Sequence, residues 1–226
     1  LCSFSGAALG QEVEIYIPSQ HTAAPESEET NNILARCLAT GLKEYCVGIS
    51  FGENGATFES NGISEITLET FVIDLSDESE TTKPKVTVKN DEDGDTGQNT
   101  SSTDVKSAGI EIEFDFNSHK LRADQLDKVS VLAAAFADDI NAGKLYAIVG
   151  HTDGKGSDTY NCKLSAKRAA TITSALLVGG AKAYLQPIGV GEVLLKDAAN
   201  PANAQNRRVS FLKLDDNAET VINAFK

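Results

Sequence analysis

The residues with the most to offer chemically lie between 150 and 170. Gly150-His151-Thr152-Asp153 follows an apolar run, and Asn161, Ser165 and Arg168 come next at i, i+4 and i+7, a spacing that puts all three on one helix face. An amide, a hydroxyl and a guanidinium would share that face, with the Asp153 carboxylate in the loop just ahead of it. Each has an ordinary alternative role: an Asp before a helix is often a cap, and an Arg on a helix face is often a solvated charge. Metal chemistry finds little support. The three histidines, His21, His119 and His151, are too scattered for an H-x-x-x-H site, and there is no C-x-x-C pair. Asp91-Glu92-Asp93-Gly94-Asp95 imitates the start of a calcium loop, but Thr96 replaces the glycine of its sixth position and Ser102 the glutamate of its twelfth. Cys37 and Cys46, nine residues apart, could close a local disulfide or lie as two buried thiols, whereas Cys2 and Cys162 have no obvious partners.

The elements that must position these residues read most clearly in the second half. Gly109–Phe116 alternates Ile110, Ile112, Phe114 and Phe116 against acids, as a half-buried strand does. Leu126, Val129, Leu132, Ala133 and Phe136 predict a helix from about Ala123 to the Asn141-Ala142-Gly143 stop signal. A strand over Leu145–Val149, a helix from Ser157 to Leu177, strands over Gln186–Val190 and Arg208–Leu214 and a short C-terminal helix complete residues 109–226. The order β-α-β-α-β-β predicts a sheet with helices packed against it.

Charge divides the chain. Residues 1–108 hold 19 acids and 6 bases, while residues 109–226 hold 14 of each, so the net charge of −13 belongs to the first half. Repulsion from phosphates argues against nucleic acid and anionic membrane surfaces as partners, and no apolar run is long enough to span a bilayer. Residues 77–108 contain no aromatic residue and few apolar ones, which predicts an acidic flexible linker with a reach of roughly 30 Å. Ahead of it, residues 11–76 suggest a small α+β domain: strands over Glu12–Pro18 and Tyr45–Ser50, a helix over Glu28–Leu42, and alternation of Ile66, Leu68, Phe71 and Ile73. Residues 1–10, apolar and small, are similar to the end of a secretory signal, with an ordinary apolar start as the alternative. The absence of methionine suggests a processed product or a fragment. Leu1 ahead of Cys2 argues against lipidation there.

From Ile110 to Leu214 the chain resembles the OmpA-like peptidoglycan-binding family. The likeness rests on Phe114-Asp115-Phe116-Asn117, Gly150-His151-Thr152-Asp153, Gly156-Ser157, Tyr160-Asn161, Leu164-Ser165, Arg168-Ala169, Gly189-Val190-Gly191-Glu192 and Asn206-Arg207-Arg208-Val209, in that order. The resemblance implies a non-covalent site for the meso-diaminopimelate of peptidoglycan stems, whose far end carries a carboxylate and an ammonium. By position, Arg168 would grip the carboxylate through its planar fork and Asp153 would take the ammonium. The resemblance also implies that Asn161 bonds the ligand's polar backbone, while Asn117 and Arg207 line the pocket. Strand alternation sends Arg207 and Arg208 to opposite faces, so one of them at most should reach the ligand. Asn206 is expected to serve its own loop and His151 to make a structural hydrogen bond.

These readings predict a binding module without cofactor or catalytic residue, in the periplasm or outer-membrane-associated envelope of a Gram-negative bacterium. It would anchor an envelope protein or complex to the wall, with residues 11–76 free to engage another envelope protein. A peptidoglycan-processing enzyme is the weaker rival, since the first half offers one histidine and no convincing catalytic cluster. A structural subunit of an envelope machine, using the domain for protein contacts, is the other alternative.

Overall fold

Leu145–Val149 is apolar without a break and buried throughout, and burying both faces of such a strand requires cover on each side of its sheet. The computed structural model describes residues 32–46, 48–52, 55–58, 66–74, 85–90, 102–115, 117–214 and 218–225. In chain order these form α1 (Ile33–Thr40), α2 (Lys43–Cys46), β1 (Ile49–Gly52), β2 (Gly55–Phe58), β3 (Ile66–Asp74), β4 (Lys85–Asn90) and β5 (Ser102–Ile110). Then come α3 (Leu126–Ala137), β6 (Leu145–His151), α4 (Asp158–Val178), β7 (Tyr184–Gly191), β8 (Val209–Leu214) and α5 (Ala218–Phe225). Six strands pair in the order β4-β3-β5-β8-β6-β7, with β6 and β7 parallel and every other neighbour antiparallel. The mixed sheet with packed helices and the β-α-β-α-β-β order of the second half are therefore as expected.

Two cores lie on opposite faces of this sheet. Tyr146, Ile148, Val209 and Phe211 pack with Leu132 and Phe136 of α3, Ile172 and Leu176 of α4, and Leu34 and Leu38 of α1. Strand neighbours of opposite parity, Ala147, Val149, Leu212 and Leu214, pack with Phe71 and Ile73 of β3 and with Val221, Ile222 and Phe225 of α5. The first core joins the two halves of the chain, and hydrogen bonds reinforce the junction. Asn141 donates from Nδ2 to Ala35 O (3.3 Å), and the Tyr146 hydroxyl lies 3.2 Å from Leu38 O.

The stretch expected to be a flexible linker, 77–108, instead contributes β4 and most of β5. Its few apolar residues are spaced for a strand: Val86 and Val105 are buried beside Phe71 and Ile73, and β3 pairs with both strands. Low overall hydrophobicity concealed this because one half-buried strand needs only alternate positions to be apolar. The strand expected over 109–116 likewise lies earlier, at 102–110. Beyond it, Phe114 makes only an isolated bridge to Leu121.

The strand expected from Tyr45 to Ser50 is a second correction. Tyr45 and Cys46 belong to α2, where Tyr45 N donates to Leu42 O, and the strand begins at Ile49. The Cys37–Cys46 disulfide, one of two alternatives in the sequence, is formed, with its Cα atoms 4.9 Å apart. No described cysteine is a free thiol, Cys162 included. The helix expected over 28–42 spans Ile33–Thr40, capped by the Asn32 side chain and closed by Gly41 at φ 63°. The expectations for residues 1–10, Glu12–Pro18, Cys2 and the acidic run Asp91–Asp95 lie outside the described residues.

Candidate functional site

The site is built where α4 crosses the C-terminal ends of β6 and β7. Glycine makes this crossing close: a Cβ on Gly150 would stand 2.3 Å from Ser165 O, and one on Gly189 would stand 2.3 Å from Ala166 N. Ser165 completes the contact by accepting from Gly191 N at 2.8 Å and donating to Cys162 O at 2.8 Å. Any side chain at 150 or 189 would push the helix off the sheet and carry Asn161 and Arg168 with it.

Ser157 is the N-cap of α4, accepting from Tyr160 N. Asp153 is thereby free of the capping role that its position suggested. Its Oδ2 accepts from Arg207 Nη1 at 2.9 Å and its Oδ1 from Lys155 N at 3.2 Å. The loop around it is clamped from two sides. Asn161, 1% exposed, donates from Nδ2 to Asp153 O (3.3 Å), to Lys155 O (3.0 Å) and to Glu192 Oε2. On the other side Gly154 N donates to Pro201 O (2.7 Å), tying the loop to the segment before β8. That segment is organised by buried Asn206, whose Nδ2 faces the carbonyls of Asp197, Asn200 and Pro201 and whose Oδ1 accepts from Asp197 N.

Arg168 is 5% exposed, donates from Nε to Ser118 O (3.1 Å), and stacks its guanidinium 4.9 Å from the Phe114 ring centroid. Neither Nη of Arg168 has a hydrogen-bond partner among the described residues. Burial holds its pKa below the usual guanidinium value, and the Arg207 charge lowers it further, while Asp153 and Tyr160 act in the opposite direction. It is a desolvated cation with unused donors. Asn117, at φ 54°, accepts from the Tyr160 hydroxyl. The left-handed backbone conformation is one that Asn tolerates better than most residues.

All five residues expected in the site, Asn117, Asp153, Asn161, Arg168 and Arg207, line one cleft of about 280 Å³. Phe114, Thr152, Lys155, Tyr160 and Leu164, which the sequence did not assign to the site, also line it. The hydroxyl of Thr152 is buried and without a hydrogen-bond partner. The lining carries three cationic side chains, Lys155, Arg168 and Arg207, and the carboxylate of Asp153, so it offers partners for both carboxylate and ammonium groups. Arg208 faces away, as alternation required. It donates from Nε and Nη2 to Glu69 Oε1 (2.6 Å) and Oε2 (3.0 Å), and Ser210 joins Glu69 to His151 Nε2. His151 is thus structural, as expected.

Residues 113–208 match the family model described as the OmpA family. That segment is an OmpA-family domain. Two curated relatives resemble it. The putative lipoprotein YfiB of Escherichia coli (strain K12) is 33% identical over 106 residues, 45% of this chain and 64% of that protein. Outer membrane porin F of Pseudomonas fluorescens is 31% identical over 103 residues, 44% of this chain and 31% of that protein. The chain therefore spans less than two thirds of either relative. Among solved structures, the peptidoglycan-associated lipoprotein from Burkholderia pseudomallei is 28% identical with a TM-score of 0.37, covering 46% of this chain and 88% of that one. The OmpA-family domain contains the whole cleft, whereas Glu69, which braces Arg208 behind it, comes from β3 outside the matched segment.

Proposed function

We propose that this chain binds diaminopimelate-type peptidoglycan non-covalently through its OmpA-family domain and so anchors an envelope protein or assembly to the cell wall. The observation that carries this reading is the pairing, within one cleft, of an unsatisfied buried guanidinium, Arg168, with a carboxylate, Asp153, held in place by Arg207 and the Lys155 backbone. A zwitterion needs one fixed cation and one fixed anion. The distal carboxylate of diaminopimelate pairs with the free Nη donors of Arg168, and its ammonium joins Asp153 opposite Arg207. Arg207 neutralises Asp153 while the site is empty, so this mostly buried carboxylate is not left unpaired. Phe114 and Leu164 supply apolar walls for the ligand's methylene chain.

Binding is the role these groups support, since Arg168 offers free donors and Asp153 a carboxylate already held in place by hydrogen bonds. The names of the two curated relatives, an outer membrane porin and a lipoprotein, support a place in the envelope of a Gram-negative bacterium, in the periplasm or at the outer membrane. Among the described residues no helix is long and apolar enough to cross a membrane.

The test is retention on sacculi. The purified chain is expected to co-sediment with diaminopimelate-type sacculi and not with lysine-type sacculi, whose stems lack the distal carboxylate. Equal retention on both would contradict the role given to Arg168. Retention on neither would favour the alternative of an envelope-machine subunit that uses this domain for protein contacts.

A further inference from the structure

Asn161 was expected to meet the ligand, yet its amide nitrogen is already committed. Three oxygens surround Nδ2: the carbonyls of Asp153 and Lys155 and the carboxylate of Glu192. All three only accept hydrogen bonds, so the two Nδ2 protons are fully used. The opposite amide rotamer would set Oδ1 against three acceptors and is excluded. Oδ1 is therefore the only atom of this amide left for a ligand, and it accepts no hydrogen bond from any described residue.

Two of the three acceptors are backbone carbonyls and present whatever the sequence. Glu192 is the side chain that completes the set. It follows Gly191, whose φ of 60° turns the chain out of β7 beside the first turns of α4, where a Cβ on Gly191 would stand 3.1 Å from Cys162 N. Glu192 is half-buried and is absent from the cleft lining.

We propose that Glu192 is a positioning residue: as the charged acceptor of Asn161 Nδ2 it anchors this side chain in its rotamer, so that Oδ1 is presented to the ligand as an acceptor for an N–H group and the Asp153 and Lys155 carbonyls bound to the same nitrogen are held with it. This inference rests on the cleft being the peptidoglycan site. The donor that Oδ1 would accept is an amide N–H of the stem peptide, and a ligand offering only carbonyls at that point is disfavoured.

Three variants separate this role from a simple charge effect. Glu192→Gln keeps an acceptor and removes the charge, whereas Glu192→Ala and Glu192→Leu remove both. Affinity for a soluble diaminopimelate-containing muropeptide, measured by calorimetry, is expected to fall about tenfold in Glu192→Ala and Glu192→Leu and to stay within about twofold of wild type in Glu192→Gln. Thermal unfolding should show all three folded. The side-chain amide resonances of Asn161, read by NMR without any ligand, should shift in the Ala and Leu variants and hold their wild-type positions in the Gln variant.

Equal loss in Gln and Ala variants would overturn the proposal, since Glu192 would then act through its charge on the ligand's ammonium. Wild-type affinity in all three would overturn it too. If wild type binds no muropeptide while the Asn161 resonances respond as described, the functional reading fails and the anchoring of Asn161 by Glu192 stands. Unmoved resonances in Glu192→Ala would overturn the positioning role whatever the ligand.

Discussion

At the scale of single residues, one cluster lines the cleft and another braces the fold, and Arg207 and Arg208 separate them. Arg207, side chain 40% exposed, pairs with Asp153 in the cleft, while Arg208 is buried with Glu69. Strand alternation made that division legible in the sequence, but not the partner of Arg208, because Glu69 lies 139 positions away. His151 belongs to the buried set: burial and the nearby Arg208 charge push its pKa well below the ordinary 6.5. The sign follows from linkage. Below about pH 6.5 the unfolded chain takes up a proton that the folded chain resists, so stability falls as pH drops through that value and is unaffected above it. The expected slope is up to about 1.4 kcal/mol per pH unit. The carboxyls of Asp124 and Asp197, held below their usual range by hydrogen bonds from Arg122 and Asn203, respond only at more acid pH. Urea unfolding at pH 7, 6 and 5 should therefore show a loss in wild type that His151→Gln, which keeps a partner for Ser210, largely removes. The same loss in both proteins would assign the effect to other groups.

At the scale of elements, β3 is the surprise. Its alternation of Ile66, Leu68, Phe71 and Ile73 was visible, yet its membership in the same sheet as β8 and β6 was not, because the acidic residues after it looked like a break between domains. A strand pairing is a long-range fact that local composition does not carry, and β5 bridges the two halves through nine residue pairs with β3 and four with β8. Glu69 is the polar consequence. It sits 1% exposed with Arg208, Ser210 and His151 in a buried polar cluster, and a Cβ on Gly109 would come within 3.0 Å of its carboxylate, so the glycine makes room for it. Removing one partner of a buried ion pair leaves the other charge desolvated and alone, so Glu69→Ala is expected to cost about 3 to 5 kcal/mol in chemical unfolding. The double variant Glu69→Leu, Arg208→Leu should recover most of that loss. If Glu69→Ala unfolds like wild type, β3 does not brace the OmpA-family domain. The helices of the second half, by contrast, were legible to within a few residues, since heptad-like apolar spacing and glycine stops are local signals.

At the scale of the whole molecule, the chain joins a charge-neutral half that carries the cleft to an acidic half whose described residues supply three strands of the six-stranded sheet, the β1-β2 pair and two helices. The five residues named from the sequence meet in one cleft because α4 lies on two glycines and because Asn161 and Asn206 each organise one of the loops around Asp153. In the proposed function, Asp153 and Arg168 together hold the zwitterionic end of diaminopimelate. The most direct measurement is co-sedimentation with diaminopimelate-type sacculi at moderate salt, comparing wild type with Asp153→Ala, Arg168→Ala and the double variant, each first shown to be folded. Each single variant is expected to lose about 2 to 5 kcal/mol of binding, because it leaves one ligand charge unpaired in a partly desolvated cleft, and the double variant should remain in the supernatant. Wild-type pelleting by the folded double variant would contradict the account.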